Sequence, residues 1–550
     1  MTRALVLVAA VFLLLLVLYP SFDNELVSDD WVFVYQALTA QGLGDVFARV
    51  PADWFSRPML WLLSYVITGL FGTDPLPFRL CASLVHSANA LLVGLLAWRL
   101  GGLGSRRQTP ELPWNRRAVL ALGASGLFFV YALSHEVLYW FAATPEALAL
   151  LARLSVLWIV LGGLGLRALG RRQLVWRMVS VAVVSLVAVA SKESAVVLPV
   201  ELGLLWVVAC WSAARRRGAW SGDQGKAVLP LLLTATAVIA SWWFWYSAGG
   251  VTRAGLTILE LGPEAWILRL GQTGWRAVAL GFLPVRPVML VLLLVAGVML
   301  FLQALWCKRP VVVFALPWLA LCLLPYVGIT SVAERAAAVP VLERTIGIAE
   351  DRYYYGAGAA MAVLTAAIAV WLGEAVGRCR LADALRRRLA WAPVLALVVL
   401  GSVHALHLRA FEAEWDHAGK ILADVRQELG EKLEMPIRPG EVICVDRRPD
   451  NYRGRFILRS GIKEMILLAA GHEGFEVLVP PYANPLACTR RLLLESGMLE
   501  KGGIASHPPP VATPCERSSA RTRTAPRARR RFSGSHARYS GMVVAPDGML

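Results

Sequence analysis

Charge is scarce in this chain: Asp, Glu, Lys and Arg make up 17% of 550 residues, against 57% hydrophobic. That balance excludes a soluble protein of this length, because many segments approach the roughly 20 apolar residues that span a hydrocarbon core. Acid is scarcer than base, with 38 Asp and Glu against 55 Lys and Arg, a formal charge of +17. A nucleic-acid partner is nonetheless not expected. The cations fall in short clusters between apolar runs, which is how orientation is encoded in membranes. Cysteine is sparse as well, and the eight present have no metal-ligand spacing. Cys81, Cys210, Cys307, Cys322 and Cys379 lie in or beside apolar runs as small core residues. Cys444 and Cys488 share the last soluble segment, where a disulfide and two free thiols both fit. The first apolar run, Ala4 to Tyr19, lacks a small-x-small cleavage site after it, so it is expected to remain as a first helix. A fold-length internal repeat is also lacking.

What is present is a series of apolar runs that predicts an all-α polytopic membrane protein. About eleven spans are expected, near 4–19, 78–98, 118–133, 146–166, 177–190, 194–212, 227–247, 287–306, 311–327, 353–373 and 389–408. Met59 to Phe71 is apolar but short and ends in Gly72-Thr73-Asp74-Pro75, so it is expected to lie along the interface. Charge supports that choice. With the segment interfacial, the clusters around Arg99, Arg116, Arg171, Arg215, Lys308 and Arg386 share the cytoplasmic side. The loops holding Asp29, Glu136, Lys192, Glu260, Glu264 and 334–352 then share the outer side.

Three parts follow: a membrane part over 1–408, with 21–77 as its first outer loop, a small outer α/β unit over 409–504, and a disordered basic tail over 505–550. Glu412 to Glu434 reads as a charged helix, and Glu441 to Val445 and Glu476 to Val479 as short buried strands. The tail, with Pro508-Pro509-Pro510 and Arg527 to Arg531, lacks the apolar content to fold.

The outer loops carry the residues of chemical interest. Asp29 and Asp30 are adjacent carboxylates beyond the first apolar run, suited to act as general base or to hold a divalent cation; they equally fit a helix N-cap before Trp31-Val32-Phe33. Arg57 before Pro58 either binds a phosphate or sits among headgroups. Glu136, Trp140 and Glu146 form a short turn between spans, where ionisable groups are costly unless exposed or paired. Lys192-Glu193 interrupts otherwise continuous apolar sequence, as a self-paired turn or as an ammonium facing a lipid-linked phosphate. Arg352, with Tyr353 and Tyr355, opens the tenth span as an aromatic belt or a phosphate site.

In order, Asp29-Asp30, Arg57-Pro58-Met59-Leu60, Phe71-Gly72, His86-Ser87-Ala88-Asn89, Glu136 with Trp140, Ser191-Lys192-Glu193 and Asp351-Arg352-Tyr353-Tyr354-Tyr355 resemble the motifs of GT-C glycosyltransferases. The branch resembled is the protein O-mannosyltransferase-like group and its bacterial relatives, over roughly residues 1 to 375. The resemblance implies an inverting transferase of the bacterial inner membrane, with the N-terminus cytoplasmic and the C-terminal unit periplasmic. Its substrates would be a polyprenyl-phosphate-linked sugar and a glycan, lipid or protein acceptor. It further implies Asp29 or Asp30 as base, with Lys192 and Arg352 as candidates for the donor phosphate. Arg57, Tyr353 and Tyr355 join the donor-phosphate candidates, and Glu136, Trp140, Glu146 and Glu193 are expected to shape the acceptor side. Two departures stand out: Ala143-Thr144-Pro145-Glu146 replaces a basic residue followed by an acid, and no tetratricopeptide array follows the membrane part. A transporter or flippase, or a silent membrane scaffold, are the rival readings. A transporter favours paired repeats and midplane ionisable residues, whereas the acids here gather at one face.

Overall fold

The computed structural model describes residues 24–48, 57–103, 115–164, 170–217, 222–248, 270, 273, 277, 287–327, 351–379, 382–433, 437–448, 451–452, 455–458, 461–471, 474–479 and 488–494. The expected first helix, Phe55, Ser56, Glu260, Glu264, the 334–350 loop and the tail from Ala505 lie outside the described residues. All described residues fall within one compact unit, 1–506.

In chain order the helices are α1 (Asp30–Thr39), α2 (Leu43–Ala48), α3 (Pro58–Phe71), α4 (Pro75–Gly102), α5 (Arg116–Phe129), α6 (His135–Tyr139), α7 (Thr144–Leu164), α8 (Arg171–Ser191), α9 (Leu198–Arg217), α10 (Gly222–Ala248), α11 (Pro287–Trp306), α12 (Pro310–Leu323), α13 (Tyr355–Gly377), α14 (Asp383–Lys432) and α15 (Ile462–Ala470). Their starts are written locally. Asp74 accepts from the Leu76 N–H with Pro75 at the first helical position, and Asn115 accepts from the N–H groups of Arg117 and Ala118. Among the described residues, seven helices are long and apolar enough to cross a membrane, or eight if α5 and the segment Ala132–Tyr139, bent by 52°, form one span. Pro58–Phe71, Leu292–Trp306 and Pro310–Tyr326 are shorter apolar helices. Among the described residues, the expected spans from 78–98 onward fall on helices: that at 118–133 is broken at the bend after α5, and those at 287–306 and 311–327 fall on the shorter apolar helices.

Side-chain contacts sort the helix ends into two faces. At one, the Arg99 guanidinium stacks on Trp158, 3.9 Å from its centroid, and Arg177 donates to the Ile159 carbonyl at 3.1 Å. There, too, the buried Glu374 carboxylate pairs with Arg116 at 2.9 Å, with Arg309, and with Arg378 at 3.7 Å. Three of the basic clusters are therefore tied at one end by a single acid. At the opposite end Arg57 faces Glu193, and Arg79 at the start of α4 donates to the Tyr139 carbonyl. Both ends of α3 consequently lie at that second face, so α3 does not cross the bundle.

The interior is packed by small residues that let helices approach closely. A Cβ on Gly94 would come within 2.9 Å of Ser125, and one on Gly358 within 2.5 Å of the Tyr131 ring. That ring has no easy retreat, because its hydroxyl donates to the Ala277 carbonyl at 3.1 Å and it packs on His404. One interior ion pair accompanies this packing: Arg153 Nε donates to Glu201 Oε2 at 3.0 Å, and Trp318 Nε1 to Glu201 Oε1 at 2.8 Å. Polar groups so placed need such satisfaction.

Helix α14 runs uninterrupted for 50 residues, about 75 Å at 1.5 Å per residue. It starts at the basic end, passes Tyr131 through His404, and reaches beyond the opposite face with Trp415 and Arg426. The expected span at 389–408 and the expected charged helix from Glu412 are one element. Past it lies the small α/β unit. Strands β1 (Val442–Arg447), β4 (Glu476–Leu478) and β5 (Arg490–Leu493) form a parallel sheet in the order β4-β1-β5, while β2 (Asn451–Tyr452) and β3 (Arg455–Phe456) make a hairpin. Cys444 and Cys488 are disulfide-bonded, linking β1 to the segment entering β5.

Gly358→Ala is expected to lower the melting temperature in detergent, at a cost of about 1–3 kcal/mol from overpacking against Tyr131. Unchanged melting would mean that the ring moves aside.

Candidate functional site

Five separate segments converge at the face opposite the basic end: the turn before α1, the start of α3, the bent stretch 132–146, the turn between α8 and α9, and the 3-10 turn Asp351–Tyr354 that opens α13. The bent stretch is central. Its two breaks, 3-10 turns at Ala132–Ser134 and Phe141–Ala143, fold the chain back so that His135, Glu136, Trp140 and Glu146 are buried together.

Lys192 lies where α8 ends. Its ammonium is 3.2 Å from Glu146 Oε1 and 3.8 Å from Glu193 Oε2, and 5.6 Å from the Tyr353 ring centroid. Glu193 continues the chain of charges to Arg57, at 3.8 Å. On the other side, Arg352 donates through its backbone N–H to Glu136 Oε2 at 3.2 Å and through Nη1 at 3.1 Å. Its Nη2 donates to the Tyr353 hydroxyl at 3.0 Å, and its guanidinium lies over the Trp140 ring at 4.7 Å. Thus Arg57, Glu193, Lys192, Glu146, Tyr353, Arg352, Glu136 and Trp140 form one connected network. Three cations face three carboxylates in it.

The two aspartates have different surroundings. Asp30 is fully buried: Oδ1 accepts from the Ala142 N–H at 2.7 Å and Oδ2 from the Val27 N–H at 3.1 Å. Burial pushes its carboxyl from the ordinary 3.8 up to about 6, against the pull of Arg79 and the two N–H groups. Asp29 precedes α1 and is half-buried. Tyr355 is not brought to the network. It is fully buried among the helices, its hydroxyl within 2.8 Å of His86 Nδ1 and accepting from Asn89 at 3.2 Å.

Sequence reasoning missed three contributors. Tyr326 donates to Glu146 Oε2 at 2.8 Å and stacks on Tyr353 with centroids 4.9 Å apart. Arg79, also buried, donates to the Glu25 carbonyl at 2.6 Å, joining the Asp29–Asp30 turn to the bent stretch. An arginine inside the apolar start of a span is costly unless paired, and that signal could have marked it. His135 is the third. The Trp415 indole N–H, which can only donate, points to Nδ1 at 3.1 Å, so Nε2 carries the proton facing Asp351 at 3.1 Å. This pins the arginine turn to α14.

Two buried hydroxyls in the bent stretch, Ser134 and Thr144, have no hydrogen-bond partner, a condition that favours a ligand or water at this place. Beside Glu193, Val189, Val196, Ile239, Trp242 and Trp243 line a shallow apolar dent of about 10 Å³. Among the described residues no group of three or more His, Cys, Asp or Glu could hold a metal ion.

The chain matches no family model and no curated protein. It is similar to solved structures of two proteins, at 13% identity in each. One is ArnT from Cupriavidus metallidurans bound to undecaprenyl phosphate, over 89% of this chain and 90% of that one, with a TM-score of 0.42. The other is the Archaeoglobus fulgidus oligosaccharyltransferase tethered with an acceptor peptide, over 84% of this chain and 61% of that one, also at 0.42.

The raised carboxyl of Asp30 has a stability consequence with a definite sign. A group whose folded pKa exceeds its unfolded one stabilises the fold fully below about pH 4, and that contribution is lost as pH rises through about 6. Melting of the wild type should therefore carry a component that declines across this window and is missing from Asp30→Asn. A wild-type-to-variant difference that stays constant with pH would show that Asp30 titrates normally.

Proposed function

We propose that the chain is an inverting glycosyltransferase that moves a sugar from a polyprenyl-phosphate donor to an acceptor hydroxyl or amine at the outer, periplasmic face. The observation that carries this reading is the network of Arg57, Lys192 and Arg352, assembled at the face opposite the basic end. By the positive-inside bias that face is the outer one. Nucleotide sugars are absent there, so a lipid-linked donor fits the topology.

In this mechanism the acceptor attacks the anomeric carbon, the bond from that carbon to the phosphate oxygen breaks, and the polyprenyl phosphate leaves with the bonding pair. The phosphate gains negative charge as it departs. Lys192 and Arg352 are held by Glu146 and Glu136; cations fixed in this way meet that charge with little reorganisation. Asp29 is the base that takes the acceptor's proton, because both oxygens of Asp30 are spent on backbone N–H groups. Asp30 then holds the turn in place. Glu136, Trp140, Glu146 and Glu193 shape the site through the cations they fix, and Tyr355 supports the helix behind it. Whether a divalent cation assists at Asp29 is a matter for the same assay run with and without chelator.

The test is turnover of synthetic polyprenyl-phosphate sugars by the reconstituted protein, with the anomeric configuration of the product determined. Asp29→Asn is expected to lose about 10²–10⁴ in kcat, the usual contribution of a positioned base. Full activity in that variant removes the mechanism. Arg352→Lys keeps the charge but not the fork of donors, and should raise the donor KM about tenfold. An unchanged donor KM would take Arg352 out of the donor site. Sugar-independent solute uptake by vesicles, with no transfer, would favour the transporter instead.

A further inference from the structure

The turn carrying Asp29 is held by more than the membrane bundle. Ser28, just before it, has φ +49°, a left-handed conformation that is uncommon and unfavourable for a non-glycine residue. Its N–H donates to the Ile457 carbonyl at 2.8 Å. Four residues later Gly461, at φ +83°, lies so close that a Cβ there would overlap the Ser28 carbonyl and come within 3.1 Å of Trp31 Cβ. Gly461 is also the N-cap of α15. Glu464, in the first turn of that helix, is half-buried, and burial pushes its carboxyl up, with the charge of Asp29 adding to the rise. From α14, Arg426 pairs with Glu25 at 3.2 Å and stands 5.8 Å over the Trp31 ring. A spectator domain would need no strained serine and no obligatory glycine face to face across its seam.

We propose that the C-terminal unit is a working part of the transfer site, with Gly461 as a positioning residue that fixes the Ser28–Asp29 turn and thereby aims the Asp29 carboxylate. The inference rests on Asp29 being the base of the proposed reaction. Gly461 acts through Ser28 and touches no substrate. Its reach is backbone to backbone: any side chain at 461 must push the turn away, and the displacement passes to the next residue, which is Asp29. Displacements of about 1 Å at a reacting group can cost on the order of 10²-fold in rate.

The experiment compares the full-length wild type, Asp29→Asn, Gly461→Ala and Glu464→Lys in one transfer assay, with amide hydrogen exchange followed over residues 24–34. In Gly461→Ala, kcat should fall at least about tenfold, the donor KM should stay within about twofold, and exchange over 24–34 should rise. An unchanged kcat in folded Gly461→Ala overturns the proposal, whatever the exchange does. Should that variant fail to fold, Glu464→Lys decides. A lysine facing Asp29 would pair with the carboxylate and weaken it as a proton acceptor, so kcat should fall about tenfold, and wild-type turnover there overturns the proposal too. Loss of the reading beneath looks different. If the wild type transfers no sugar, or Asp29→Asn matches it, the proposed function falls, and unchanged exchange over 24–34 in Gly461→Ala would then separately refute the seam.

Discussion

Burying ionised groups at the edge of a membrane is unfavourable by several kcal/mol for each charge unless opposite charges accompany them, and that constraint organises this molecule. Lys192, nearly inaccessible to solvent, survives because Glu146 and Glu193 come to it; Arg352 survives because Glu136 does. Each of these acids sits on a different turn from its partner, apart from Glu193. The pairings therefore act as joints between loops. Removing either member leaves a buried charge uncompensated, so the turns at 132–146, 192–197 and 351–354 hold one another in place. The same interactions that make the turns rigid also hold three cations in fixed positions at this face.

The opposite end of the bundle obeys the same rule with a different ratio. One acid, Glu374, gathers three arginines from α5, the turn before α12 and the end of α13. An excess of cations is tolerable there because lipid headgroups and water share the burden. The site end has no such excess, since its charges balance. Between the two, α13 is lined by glycine and alanine over much of its length, which lets α5 and α12 approach it closely. Helix α14 then connects the basic face to the C-terminal unit as a single rod. His135, bridging Trp415 to Asp351, locks that rod to the arginine turn.

Much of the helical architecture could be read from the chain, for a simple reason: twenty or so apolar residues without charge have few other places to go. That α3 is too short to cross was legible too, through its length and its effect on the placement of every later basic cluster. What escaped was continuity. The boundary at 408 follows a change in composition, but α14 passes through it, because helix hydrogen bonding is local and indifferent to whether the side chains meet lipid or water. Strand β5 was also overlooked. It is only four residues long and opens with two arginines, so its pairing with β1 is a matter of tertiary contact.

The sequence by itself determined the class of the protein, the segregation of its charges and the roster of ionisable residues near one face, since all of these follow from composition and hydropathy along a line. It also left both fates open for Cys444 and Cys488, which the structure joins. Only the tertiary structure decided the partners: that Asp30 spends both oxygens on backbone N–H groups, that Tyr355 belongs with His86 and Asn89, and that Arg79 and Tyr326 stand with the site. The physical reason is distance along the chain. Asp30 meets Ala142 across 112 residues and Arg352 meets Glu136 across 216, and no local pattern of residue types encodes which of many buried donors will reach a given carboxylate.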